Sequence, residues 1–340
     1  MSDKSILGLL LLIGFITSCS NDPLKVDISN QKTGIVYTNL DSLLVHTAPN
    51  DLAALNKRCI DELGDIYAYE IGYCIKLPNN SDSALIEGMG LFMTDPYVQK
   101  LEKRIGERFS KLNKEIDDID SGFKHLKVHF PEMKMPERVV FMNSLFTSSV
   151  YSTELQIGVG LERYLGAEND VVKQLSYQSF PEWEKKAMNA RFISRDVIAS
   201  WVSTHLAEEA DGNLAEKIIR GGKVLYFIQA AFPDKDPSFV LRYSEKEYDW
   251  ALENEYAFWK YLVDEKMLFK IDELNSKNLL GEGPFTPGLP VNTGDDKGPD
   301  RLGQFLGYRI ILKYMEINNV TLDELLKTSY SDILVEYEID

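Results

Sequence analysis

The run from Ile6 to Ile16 is apolar except for Gly8 and Gly14, with Lys4 before it and Thr17-Ser18-Cys19 after it. A bilayer core calls for about 20 apolar helical residues, so this run is too short to span one comfortably. A basic start, a short apolar stretch and small residues ahead of a cleavage point are the parts of a secretory signal peptide. A Cys at the new N-terminus offers a thiol for lipid, so Ile16-Thr17-Ser18-Cys19 reads as a lipobox, with palmitate-type acylation expected on Cys19. Ile stands where Leu is commoner, and Asp3 nearly cancels Lys4. The expected division is a signal peptide over 1–18, a lipid-anchored tether over 19–35 and a folded domain over 36–340. The tether is polar and contains Pro23, a composition suited to a spacer. The domain would sit in the cell envelope, held to the inner or outer membrane and facing the periplasm or exterior.

No second apolar stretch long enough to cross a membrane follows. Apolar residues make up 44% of the chain, enough for a sizeable core. With 37 basic against 53 acidic residues the formal charge is −16, which repels nucleic acid and anionic lipid head groups. Nucleic-acid binding and electrostatic membrane docking are therefore excluded. Beyond Cys19 only Cys59 and Cys74 remain. In an oxidising compartment they either pair as a disulfide or stay as two buried free thiols.

Helical periodicity covers most of the mature chain, without internal repeats. Asn50 to Leu63 places Leu52, Leu55 and Cys59 on one face, with Gly64 as a stop. Asp95-Pro96 is an N-cap followed by proline at the first helical position. From there a single helix is predicted through Ile119, ending near Gly122. Arg138 to Ser144 and Val150 to Gly160 are rich in β-branched residues and are predicted as a strand pair. Helices are then predicted over 182–205, 214–232, 244–274 and 303–314, with Thr321 capping a short last one. Gly281 to Asp300 is a Pro-rich loop, long enough to shape a binding site. The class is α+β: a mostly helical single domain with a small sheet.

Several segments, in this order, resemble one family. They are Phe123-Lys124-His125-Leu126-Lys127-Val128-His129-Phe130-Pro131, Leu161-Glu162-Arg163-Tyr164-Leu165-Gly166 and Gly222-Lys223-Val224-Leu225-Tyr226-Phe227. Then come Trp250, Glu253-Asn254-Glu255 and Trp259, Pro284-Phe285-Thr286, and Pro299-Asp300-Arg301-Leu302-Gly303-Gln304-Phe305-Leu306-Gly307-Tyr308. The chain is similar to the gliding motility lipoproteins called GldB. Departures are Glu162 for Asp, Asp300 for Gly, and Phe305 and Tyr308 for Trp. The resemblance implies a lipid-anchored, non-enzymatic component of the gliding apparatus and its linked protein-secretion machinery. Its role would be scaffolding or the capture of a peptide or partner. Its partners would be other gliding or secretion proteins of the cell envelope. The resemblance also implies a fold similar to the zincin-like metallopeptidase scaffold, with the zinc motif lost.

The chemistry of that scaffold needs two His one helical turn apart and a Glu beside them. The predicted helix offers Asp196, Ser200 and Trp201 instead. His125 and His129 have the spacing, but their segment reads as extended. His205 with Glu208 and Glu209 is a weak metal candidate, because one His rarely holds a catalytic zinc. The competing class is a zinc-dependent peptidase or a hydrolase of cell-wall peptides. No nucleophile motif and no phosphate loop is present, and no cofactor is expected. Partner contacts are assigned to Arg301, beside the long loop and suited to a carboxylate. The others are Leu155 and Ile157, on a strand able to pair with an extended segment, and the aromatic anchors Trp250 and Trp259.

Overall fold

The computed structural model describes residues 22–78, 81–207, 211–289 and 297–337. Cys19 and the lipobox lie outside the described residues, as do Glu208 and Glu209.

Four short strands form one sheet: β1 (Val36–Asn39), β2 (Arg138–Met142), β3 (Val150–Ser152) and β4 (Gln156–Gly160), in the order β1-β2-β4-β3. β1, β2 and β4 run parallel, and β3 closes the edge as the antiparallel arm of a tight hairpin with β4. The predicted single strand from Val150 to Gly160 is therefore two strands, and β2 pairs with β4 in parallel. β1 was not foreseen, because Val-Tyr-Thr-Asn is too short to show a pattern.

Helices cover both faces of this sheet. Val139, Phe141, Ile157 and Val159 enter the main core, which also takes in the helices Asn113–His129, Ile193–His205, Leu214–Ala231 and Leu302–Ile317. Val140 and Met142, on the other face, enter a second core with Leu55, Cys59, Ile66 and Met89 from the preceding helices. Strands buried on both faces read as apolar runs, which is why Arg-Val-Val-Phe-Met lacks alternation.

Three predicted helices turn out to be broken, and the 182–205 one divides at Met188-Asn189 into Glu182–Ala187 and, after a short turn, Ile193–His205. The Pro96 helix ends at Arg108, and a second one runs Asn113–His129 straight through Gly122. Gly122 does not stop it: a Cβ there would press on Phe232 and Ile198, so the glycine serves close packing. His125 and His129 are thus helical and one turn apart, which corrects their extended assignment. The 244–274 stretch breaks at Asn254 into Glu245–Glu253 and Glu255–Asp264. The α+β class, mostly helical with a small sheet, holds.

Candidate functional site

The helix Ile193–His205 lies against β3 and β4. Its Asp196 is buried and fully engaged: Arg195 reaches it at 3.1 Å, Arg242 at 3.2 Å and the Tyr164 hydroxyl at 2.9 Å. Asp196 is therefore an anchor for two guanidinium groups. Arg195 is also tied to the Val240 carbonyl at 2.9 Å. Burial drives its pKa down to about 10 against the pull of Asp196, and the neighbouring charges of Arg242 and Arg301 push the same way.

Arg242 and Arg301 both adopt left-handed backbone, at φ 56° and 53°. Non-glycine residues held there are strained, and such strain collects at functional sites. Arg242 sits just past the short helix Pro237–Leu241, and Arg301 immediately precedes Leu302–Ile317. The Arg301 guanidinium is buried, lies over the Tyr243 ring at 5.4 Å and pairs with Asp300 at 3.0 Å. Burial lowers its pKa, but Asp300 and Tyr243 outweigh that and the net shift is upward.

Both arginines line a cavity of about 880 Å³ between the 183–192 segment, the start of the Glu245–Glu253 helix and the Gly283–Pro284 turn of the long loop. Arg191, Lys186 and Lys246 add exposed cations, and Glu245, Glu247 and Glu282 set acidic edges. A pocket of this size with fixed guanidinium groups suits a carboxylate or acidic side chain, which Arg can grip with two parallel hydrogen bonds.

Of the sequence-assigned contacts, Arg301 alone belongs to this pocket. Ile157 is buried in β4 between β2 and β3, so its backbone has no free edge. Leu155 is in the β3–β4 turn. Trp250 packs over Gly298, and Trp259 meets Tyr337 edge-on at 5.0 Å beside an apolar groove. Arg242, Arg195 and Tyr243 were missed. No spacing in the sequence marks them, because they meet only through the tertiary fold.

The histidines of the described residues do not fit a catalytic zinc. His205 turns Nε2 to the Thr153 carbonyl at 3.0 Å and lays its ring on Trp201 at 3.7 Å. His125 Nδ1 is tied to the Ser121 carbonyl at 2.9 Å and His129 Nε2 to the Leu24 carbonyl at 3.4 Å. Among the described residues no three His, Cys, Asp or Glu side chains are placed to share a metal ion. Cys59 and Cys74 are separate buried thiols in this structure, one of the two states left open by the sequence. Cys59 points into the second core, whereas Cys74 turns toward Glu70.

Fold and site together define a mostly helical α+β protein with an arginine-lined pocket. The chain belongs to the family of the gliding motility protein GldB, whose profile matches residues 21–338, nearly its whole length. It has a role in gliding motility, and the family's designation as GldB_lipo suggests a lipoprotein of the cell envelope. No curated protein and no solved structure matches the chain. Among the described residues no helix is long and apolar enough to cross a membrane.

Proposed function

We propose that this chain is a lipid-anchored, non-enzymatic component of the gliding machinery that captures an acidic segment or carboxylate of another envelope protein in the arginine pocket. The observation that carries the proposal is the convergence of Arg242 and Arg301, both left-handed, on one open cavity with Arg195 beneath them. Holding three guanidinium groups together costs self-repulsion that an anionic ligand relieves. The anchor is Cys19, and replacing it with Ala should move the protein from the membrane fraction to the soluble fraction.

A peptidase-like ancestry is part of the proposal. A mixed sheet with an antiparallel edge strand, followed by a helix packed under that edge, supports it. On that helix Asp196 now anchors arginines.

Arg301 is buried and paired, so truncating it would perturb folding as well as binding. The exposed cations Lys186 and Lys246 are the cleaner probes. Cells carrying Lys186→Glu with Lys246→Glu at normal protein level should glide poorly. A photocrosslinker at Trp183 in the same background should lose its partner adduct. Full gliding with unchanged crosslinks would remove the pocket from the function, and near-stoichiometric zinc in the purified protein would favour a hydrolase instead.

A further inference from the structure

The carboxyl ends of the three parallel strands carry acid. Asp41 follows β1, Asn143 and Ser144 follow β2, and Glu162 follows β4. Glu70 arrives on the wide helical turn Glu70–Cys74, and Glu102 on the helix Pro96–Arg108. In sheets of this kind ligands bind outside the carboxyl ends of the strands.

The groups that donate to these four carboxyls are neutral. Asn143 Nδ2 reaches Glu102 at 2.6 Å, and Ser144 Oγ and the Phe146 N–H reach Glu162 at 2.5 and 2.8 Å. Asp41 hydrogen-bonds to Glu102, which two carboxyl groups can do only with a proton between them. One oxygen of Glu70 and one of Glu162, both buried, have no hydrogen-bond partner. The loop over Glu162 is bent to serve it, with Leu145 and Phe146 both at positive φ. Burial and like charge raise Asp41 to about 10 and burial raises Glu102 as well, so the pair shares a proton.

Glu102 also forms part of the wall of a cleft of about 330 Å³, together with Leu44, Val45, Phe92, Met93 and Val98. Lys103 stands at this cleft, largely exposed and leaning toward Glu107 at 4.0 Å. The cleft shares no residue with the arginine pocket. An apolar slot whose wall carries one carboxyl group, held by neutral donors alone, is complementary to a cation on an aliphatic stem. A bare metal ion fits less well, because no three of the acids are placed to share one.

We propose that this cleft takes a lysine side chain of a partner protein, its methylenes against Val98, Phe92 and Met93 and its ammonium against the Glu102 carboxylate. Asp41 and Asn143 hold that carboxylate in place. No bond is made or broken, and no proton needs to move.

The test uses the full chain in detergent micelles and two probes, Nα-acetyl-lysine methylamide and Nα-acetyl-norleucine methylamide, followed by ligand-observed NMR. The lysine probe should bind saturably and at least about tenfold more tightly than the norleucine probe, since ammonium–carboxylate hydrogen bonds are among the stronger ones. Glu102→Gln, which keeps an acceptor for Asn143, should lose at least about tenfold. Lys103→Glu should tighten binding, and Val45→Trp, at an exposed position of the cleft wall, should block it. These two exposed-side and wall variants keep the test alive if Glu102→Gln does not fold. Equal binding of both probes, indifference to these substitutions, or a clear preference for free spermidine over the lysine probe would overturn the proposal.

Discussion

Gly222 and Gly307 meet backbone to backbone where the helices Leu214–Ala231 and Leu302–Ile317 cross, and a Cβ on either would run into the other helix. This crossing joins two of the three longest helices of the main core, and it brings the start of the Leu302–Ile317 helix, with Arg301 just before it, to the pocket.

Adjacent glycines in the first of these helices should therefore respond oppositely to alanine. Gly222→Ala forces the helices apart and should cost about 1–3 kcal/mol as an overpacked contact. At Gly221 a Cβ would meet only the Gln304 side chain at 3.6 Å, ordinary packing distance. Gly221→Ala should then stabilise by up to about 1 kcal/mol through helix propensity. Urea midpoints of the two variants decide it, and equal shifts would contradict the crossing.

Gly303 and Gly307 stand four residues apart, a spacing that lets a backbone approach, but the helix that approaches is not legible from it, because tertiary pairing leaves no local mark. Pro96 and Gly64 announced helix ends correctly through backbone chemistry. Gly122 misled, since a glycine that permits packing looks the same in sequence as one that ends a helix. The strands were blurred for a related reason: burial on both faces erases alternation. Asp41, Glu70, Glu102 and Glu162 come together only through the parallel strand order, so no spacing rule could have grouped them. Arg301 was legible beside its loop, whereas Arg242 looked like any helix-flanking base.

Stability should fall as the pH rises from about 5 to about 8. Glu162 ionises at an ordinary 4.5 when unfolded but near 7 when folded, chiefly through burial. The folded chain thus holds that proton more tightly, and folding loses ground as the unfolded carboxyl ionises, levelling off above about 7. The loss is on the order of 3 kcal/mol for a shift of this size. The surface carboxylates shifted downward, such as Asp170 at about 2 beside Arg104 and Lys100, matter only at lower pH. The Tm should be higher at pH 5 than at pH 8, and Glu162→Gln should reduce that difference without abolishing it, because Asp41, Glu70 and Glu102 are raised as well. A Tm that climbs across the same window would mean that the cluster ionises without cost.

Cys59 and Cys74 should both be alkylated in denatured, unreduced protein. In the native state they should react slowly, because burial raises the Cys59 thiol to about 11 and the Cys74 thiol higher still, with Glu70 adding to the latter. Mass spectrometry after iodoacetamide treatment reads both states. A linked Cys59–Cys74 peptide pair would show instead that the helix Leu52–Leu63 and the Glu70–Cys74 turn rearrange in the oxidised protein.

Asp196 separates the binding protein from the hydrolase most directly. On a catalytic helix an acid at this place would act on substrate, and its amide variant would be inactive but well folded. Here the carboxylate is buried and holds Arg195, Arg242 and the Tyr164 hydroxyl at once. Asp196→Asn therefore strands two guanidinium groups in a largely desolvated place. Removing one partner of a buried ion pair costs about 3–5 kcal/mol, because the remaining charge is left without compensation. The variant should lose stability on that order and also loosen the pocket, since Arg242 would no longer be tethered. A second substitution separates the two effects: Arg195→Met in the Asp196→Asn background removes one stranded charge and should recover part of the loss. Chemical denaturation of the wild type, the single variants and the double variant closes the cycle. A native-like midpoint for Asp196→Asn would show that the arginines do not depend on this carboxylate and would return Asp196 to the list of groups free to do chemistry.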